Sequence, residues 1–198
     1  KDFLEVVFMD SQKLKIKDII TITLLALINV ILFMFSSLLY VTPVTTLLMP
    51  VIYSLIEGIV FFTINVKVQK RGAAFLYCLI RGILGGYLPY IICYVVAGII
   101  AEIIIGKMGY GKASGMTISY IIIEVLAAVG GTFYPYVIAY DSFFSAIDTS
   151  DDKSRNVLDA ANMIHSWGSI LLLAGIVIAS FAGALIAKRI VRKHLAEA

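Results

Sequence analysis

The clearest structural signal in this chain comes from three consecutive segments: the run TTLLMPVIYSLIEGIVFFTINV (45–66), the turn KVQKRG (67–72) and the run AAFLYCLIRGILGGY (73–87). Two apolar stretches of helical length flank a short segment that carries Lys67, Lys70 and Arg71. An α-helix crosses the bilayer core with roughly 20 apolar residues. Because the hydrocarbon offers no water to an open backbone, this pattern predicts a transmembrane helical hairpin with a basic turn.

The same pattern extends over the chain. Of its 198 residues, 61% are hydrophobic and 15% are charged, and the mean hydropathy is +0.98. These values exclude an ordinary soluble domain, and the uniform apolar runs do not alternate as β-barrel strands do. Six spans are predicted, at Ile19–Val41, Thr45–Val66, Ala73–Tyr87, Tyr90–Ile105, Thr117–Tyr140 and Ser169–Ala187. A turn at Pro89 separates the third span from the fourth, with one long bent helix as the alternative.

The predicted fold class is therefore an all-α, polytopic integral membrane protein. One six-helix domain covers residues 13–194, between an N-terminal tail (1–12) and a C-terminal tail (195–198). Basic residues gather before the first span, in the 2–3 and 4–5 connections and after the sixth span. The positive-inside rule then places both termini in the cytoplasm and the loop 141–166 outside. Within that loop, Asn156–Ile164 is predicted to form a short amphipathic helix over the outer mouth, with a solvated acidic loop as the alternative.

Aromatic residues concentrate in the predicted outer half. All four prolines and eight of the eleven tyrosines fall there. An interfacial aromatic belt explains some of them, but Tyr53, Tyr94 and Tyr134 should lie deeper than the headgroups, which favours a tyrosine-lined pocket. The candidate substrate-binding residues are Tyr40, Tyr53, Glu57, Arg81, Tyr90, Tyr94, Tyr134, Met163 and His165.

Two opposite charges are predicted to meet within the membrane. Glu57 lies ten residues before Lys67 and Arg81 lies ten residues after Arg71, so a tight hairpin brings both to a depth of roughly 15 Å. An isolated charge there is costly, so each is the natural partner of the other. The pair either locks the hairpin or forms the floor of the pocket. Glu102 and Glu124 are placed nearer the cytoplasmic face, as partners for loop lysines.

Met163 and His165 stand at the outer entrance of the sixth span, beside the acidic loop. With the tyrosines, they would supply axial ligands if the transported ligand were haem. No intrinsic cofactor, no resident metal site and no catalytic residue is predicted. Cys78 and Cys93 lie inside predicted spans and are assigned no function.

A stripe of small residues, Gly175, Ala179, Gly183 and Ala187, recurs every four positions on the sixth span. Such a stripe permits close approach by another helix. That helix belongs either to this chain or to a partner subunit that docks there.

The loop Gly106-Lys-Met-Gly-Tyr-Gly111-Lys112-Ala113 comes within one residue of a phosphate-binding loop. Ala113 occupies the position where Ser or Thr would hold Mg²⁺, and the loop joins two membrane spans. ATP binding by this chain is therefore rejected, and any ATP-driven transport must use ATPases on other chains.

Three segments carry a resemblance to a known family. They are Lys-Leu-Lys-Ile-Lys-Asp (13–18), the hairpin Lys67–Gly72 and the ending Gly183–His194. With the hydropathy pattern, they resemble the Trep_Strep family of small bacterial membrane proteins, which is itself similar to the substrate-binding S components of energy-coupling factor (ECF) transporters. S components commonly carry an Ala-x-x-x-Ala docking motif on the first span, but here Ala26 has Ile22 and Val30 four residues away. The predicted docking residues are therefore Ala26 and the stripe on the sixth span.

The resemblance implies a six-helix S component in the bacterial cell membrane, with an outward pocket capped by the 1–2 loop. Its expected partners are a transmembrane T component, two ATPase subunits, a micronutrient and the lipid bilayer, with no nucleic acid. The expected function is capture of a vitamin, a cofactor precursor or haem for ATP-driven uptake, without enzymatic chemistry. An intramembrane hydrolase or metal-dependent enzyme and a stand-alone ion-coupled carrier are the alternatives.

Overall fold

The computed structural model describes residues 13–164 and 168–195, and this part of the chain is helical without any β-strand. The helices are α1 (Ile16–Phe35), α2 (Pro43–Ile56), α3 (Gly58–Lys67), α4 (Ala73–Leu84), α5 (Leu88–Met108), α6 (Ala113–Ala128), α7 (Tyr140–Phe144), α8 (Asp152–Met163) and α9 (Ser169–Leu195). A 3₁₀ turn at Ser36–Leu39 follows α1, and a π-helical segment at Val129–Ile138 continues α6.

Five stretches are long and apolar enough to cross a membrane. They are α1, α2 with α3, α5, α6 with the π-helical segment, and α9. The sixth apolar helix, α4, has only 12 residues, or about 18 Å of length. The structure thus confirms a polytopic helical membrane protein, and the predicted spans match these elements with ends displaced by several residues.

Local sequence explains the helix ends. The Thr42 hydroxyl accepts a hydrogen bond from the backbone N–H of Thr45, and Pro43 occupies the first turn, so α2 begins there. Between α4 and α5, Gly86 adopts a φ of 67°, which favours glycine, and Pro89 lies in the first turn of α5. The alternative of one long bent helix is therefore wrong.

The helices form one bundle with close contacts at small residues. The long helix α5 packs between α4 and α6, while α9 lies along α2, α3 and α6. An ideal Cβ on Gly98 of α5 would lie 2.8 Å from the Cβ of Cys78 on α4, so glycine is needed for this approach. The buried interior includes Phe61, Tyr77 and Tyr120.

The small-residue stripe of α9 packs inside the subunit. A Cβ added to Gly183 would collide with the carbonyl oxygen of Ser54 and lie 3.0 Å from the Cα of Leu55. Its neighbours Ala179 and Ala187 are buried, and Gly175 faces Val51. On α1, Ala26 is fully buried as well. This corrects the docking prediction for Ala26, Ala179, Gly183 and Ala187, because the bundle itself already covers them, while Gly175 is half-buried.

The loop that follows the fifth span contains the predicted amphipathic helix. It begins earlier than expected, at Asp152, because the Asp151 carboxylate accepts a hydrogen bond from the Ser154 backbone N–H at 3.0 Å. Side-chain and backbone hydrogen bonds from Ser154 lower the pKa of the Asp151 carboxyl. The buried face of α8 consists of Ala160 and Ala161, and Ile164 follows directly. The helix packs on α2, so the solvated-loop alternative is wrong for this segment.

Candidate functional site

A cavity of about 120 Å³ lies among α1, α2, α5, α6 and the π-helical segment. Most of its wall is aromatic or small, with one carboxyl group. It is lined by Phe33, Tyr40, Met49, Pro50, Tyr53, Tyr90, Tyr94, Glu124, Ala127, Ala128, Gly131 and Thr132. Four predicted binding residues are thereby brought together at one site, namely Tyr40, Tyr53, Tyr90 and Tyr94.

Helix geometry at α5 and α6 shapes this cavity. Tyr90 and Tyr94 are one turn apart on α5, and their ring centroids are 4.7 Å apart. A Cβ on Gly130 would lie 2.9 Å from the Cα of Tyr90, so a glycine permits the two helices to touch here. The wider π-helical turn then presents Gly131 and Thr132 to the cavity. π-helical turns are rare and often mark functional sites.

The predicted ion pair is confirmed. Arg81 donates from Nε to Oε1 of Glu57 at 3.2 Å, and both side chains are buried. The Tyr77 hydroxyl donates to the same carboxylate oxygen. Arg81 Nη2 also donates to the Tyr53 hydroxyl at 3.0 Å, and that hydroxyl donates to the Asn29 carbonyl oxygen at 2.9 Å. One network therefore joins α1, α2, the α2–α3 junction and α4.

This network lies behind the cavity wall. Glu57 and Arg81 do not line the cavity, but the guanidinium carbon of Arg81 is 5.6 Å from the Tyr53 ring centroid and 5.7 Å from that of Tyr94. At these distances the cation attracts both rings. The ion pair thus holds two tyrosines of the wall in place, which favours the hairpin-locking interpretation over direct contact with a ligand.

Glu124 is the cavity residue that sequence reasoning missed. It lines the cavity, is 4% exposed, and its Oε1 accepts no hydrogen bond from residues 13–164 or 168–195. The prediction placed it near the cytoplasmic face. Counting from Ala113, where α6 begins, it lies 11 residues or roughly 17 Å along the helix. This depth, close to that of Glu57, was the signal that could have identified it.

Glu102 occupies a different environment, at the other end of α5. Its carboxylate accepts hydrogen bonds from the Gly72 backbone N–H at 2.7 Å and from the Tyr110 hydroxyl at 2.8 Å. A carboxylate at the start of α4 complements the helix dipole. Burial, and next the hydrogen bond to Glu102, raise the pKa of Tyr110 to about 12. The predicted lysine partners are thus replaced by a backbone amide and a phenol.

Two other predicted binding residues do not join this cavity, and a third lies outside the part of the chain that the structure describes. Tyr134 packs against Tyr87, with ring centroids 6.2 Å apart. Met163 lines a separate apolar groove of about 470 Å³ between α2 and α9. His165 lies outside the described residues. Met163 was predicted as an axial haem ligand beside the tyrosines, and this is wrong because it does not line the tyrosine-lined cavity. Within the described ranges, no three His, Cys, Asp or Glu side chains gather to hold a metal.

The bundle and its cavity define an integral membrane protein that crosses the bilayer several times. A family model matches residues 16–197. The chain belongs to that family, Trep_Strep, described as hypothetical bacterial integral membrane proteins. This confirms the family predicted from the sequence. No significant match was found among curated proteins or among solved structures.

Proposed function

We propose that this protein is the substrate-binding subunit of an ATP-driven uptake transporter of the ECF type, and that it captures a small micronutrient. The observation that carries the proposal is the cavity of tyrosines and one buried carboxyl, Glu124. Ligand sites are concave and mostly apolar, with a few convergent polar groups. The basic residues of the connections predict an orientation in which the cavity opens to the outside of the cell.

Two further features support the proposal. Tyr40, from the connection between the first and second spans, forms part of the cavity wall, as a capping 1–2 loop would. The glycine-rich loop that resembles a phosphate-binding loop forms a turn between Met108, where α5 ends, and Ala113, where α6 begins. Such a turn between membrane helices has no phosphate-cradling context. A T component and two ATPase subunits on other chains would therefore supply the energy.

The size of the cavity narrows the ligand class. Pockets for drug-sized ligands span about 300–1,000 Å³, and this cavity measures about 120 Å³. It suits a small cofactor precursor or one end of a vitamin better than a macrocycle. The tyrosine-lined cavity does not support haem as the ligand, because Met163, a predicted axial ligand, lies in a different groove.

Filling the cavity tests the proposal. Ala128→Leu lengthens a side chain of the cavity wall, and Ala174→Leu on an exposed face of α9 is the matched control. Native mass spectrometry of both proteins, purified from cells grown in rich medium, should find a small molecule retained by the control and lost from Ala128→Leu. Uptake of that molecule by cells expressing the T component and ATPases should follow the same order. Equal retention by both variants would contradict the proposal.

An ion-coupled carrier is the second candidate, and Glu124 favours it. Ionisable residues within the membrane often mark ion or proton pathways. The two functions separate in proteoliposomes that contain this chain alone. Uptake driven by a proton or sodium gradient without other subunits identifies a carrier, whereas uptake that requires the ATPases and ATP identifies the substrate-binding subunit.

A further inference from the structure

One oxygen of the buried Glu124 carboxyl has no hydrogen-bond partner among the described residues. It borders the cavity with 4% of its surface exposed, and within the described part of the chain nothing donates to its Oε1. Buried polar atoms almost always have a hydrogen-bond partner. A buried carboxylate in an apolar setting is especially unfavourable without one. Two things relieve this penalty: protonation of the carboxyl, or a donor on the cavity side, from water or from a ligand.

The nearby cation is already engaged. Arg81 donates to both carboxylate oxygens of Glu57, at 3.2 Å to Oε1 and 3.4 Å to Oε2. Arg81 Nη2 also donates to the Tyr53 hydroxyl at 3.0 Å. Because Glu57 balances Arg81, an ionised Glu124 adds one negative charge to the cavity wall. The group that complements this wall carries positive charge and N–H donors.

The aromatic walls favour an organic cation over a metal ion. Ring faces attract ammonium groups at centroid distances within about 6 Å, and Tyr40, Tyr90 and Phe33 border the cavity together with Glu124. Hard metal cations instead require several oxygen ligands. The cavity pairs one carboxylate with several rings, which is the chemistry that recognises a protonated amine.

We propose that the cavity binds a ligand through a protonated amine, with the ammonium group donating to the Glu124 carboxylate and the carbon atoms next to it lying against the tyrosine rings. This inference rests on the proposed function and deepens it, because it assigns the substrate to the basic amines. The volume of about 120 Å³ admits the amine and a few further atoms. A longer substrate would extend along the connection between α1 and α2, which carries Tyr40.

Ethylammonium chloride is the probe that tests this assignment. Such a small probe binds no tighter than roughly millimolar, so it is titrated from 1 to about 100 mM against the full chain in detergent, with melting temperature as the readout. Sodium chloride at equal ionic strength is the control for inorganic cations, and ethanol at equal concentration is the control for an uncharged molecule. We expect stabilisation by ethylammonium that saturates and exceeds both controls.

Variants link the effect to the cavity. Glu124→Gln should weaken the apparent affinity for ethylammonium at least tenfold, and Glu102→Gln, at the opposite end of α5, should leave it unchanged. If Glu124→Gln does not fold, Ala128→Leu provides the second test, since it fills the cavity and keeps the carboxyl. The proposal is overturned by unchanged affinity in the Glu124→Gln or Ala128→Leu protein, by equal stabilisation with sodium chloride, or by no stabilisation of the wild type.

The mass-spectrometric experiment keeps the two proposals apart. A retained ligand without a basic nitrogen, displaced by Ala128→Leu, would overturn the amine assignment and leave the substrate-binding function intact. Ethylammonium binding that depends on Glu124, without uptake in the presence of T component and ATPases, would contradict the transporter function and support the amine site.

Discussion

Two carboxyl groups lie at a similar depth in this bundle and have opposite surroundings. Glu57, at the junction of α2 and α3, accepts hydrogen bonds from Arg81 and Tyr77 and is fully buried. Glu124, on α6, borders a cavity, and in the described part of the chain its Oε1 has no donor. The Glu57 region is a closed network of hydrogen bonds, whereas Glu124 is a polar residue in the wall of a cavity.

The difference separates stability from binding. Removing one partner of a buried, hydrogen-bonded pair leaves an uncompensated charge and destabilises the fold. A polar group that the fold leaves unmatched already carries that penalty in the empty protein, and a ligand that matches it gains affinity. Substitutions in the Glu57 network should therefore lower the melting temperature, while substitutions at the Glu124 wall should act mainly on ligand retention.

The largest expected effect is at Arg81. Arg81→Gln and Glu57→Gln should each destabilise the protein by about 3–5 kcal/mol, and the double variant should recover part of the loss. Thermal melts in detergent measure this, with Arg155→Gln as the control, because Arg155 pairs with Asp152 on an exposed surface. Additive losses would contradict pairing. If the variants keep their stability but lose the ligand, Glu57 and Arg81 form part of the ligand-binding site instead.

The contact between α9 and α2 should show the next largest effect. Gly183→Leu places a side chain against the Ser54 and Leu55 backbone just before Glu57. Overpacking of this kind should cost about 3 kcal/mol, measured against Ala174→Leu on the exposed face of α9. A Gly183→Leu protein that melts normally but no longer co-purifies with the T component would restore the docking interpretation.

Removing the hydroxyl from each of two tyrosines, one inside the Glu57 network and one outside it, gives a sharper test of this comparison. Tyr77→Phe removes a hydroxyl that donates to Glu57 and accepts from the Asn29 side chain at 2.6 Å, so the loss should be about 2 kcal/mol. Tyr87→Phe removes a buried hydroxyl that has no hydrogen-bond partner in the described residues, and stability should be unchanged or slightly improved. Equal melting temperatures for the two variants would show that the network contributes little.

The smallest destabilisation is expected at the outer edge of the cavity. Asn156 on α8 donates to the Val41 carbonyl oxygen at 2.8 Å, next to Tyr40 of the wall. Asn156→Ala should destabilise by about 1 kcal/mol and increase hydrogen exchange at residues 38–42, without affecting the Glu57 network. Asp159→Ala, on an exposed position of the same helix, is the control. Unchanged exchange in the Asn156 variant would show that α8 does not secure this wall.

Some of the site was predictable from spacing alone. Glu57 and Arg81 pair because equal distances from one basic turn bring them to equal depth, and the tyrosines converge because spans of fixed length place them in one half of the bundle. Glu124 was misplaced although the same count from Ala113 gives its depth. The π-helical segment was also missed, since Gly130 and Pro135 lie within a span of unbroken hydropathy.

The number of apolar helices, their order and the basic character of one set of connections follow from the sequence alone, because bilayer thickness and backbone hydrogen bonding leave few other solutions. The packing of the helices is needed to see which small residues meet within the subunit, and it removes Gly183 from the predicted docking face. It also decided which of the two buried carboxyl groups is matched. Both outcomes depend on how helices rotate and approach each other, which hydropathy does not encode.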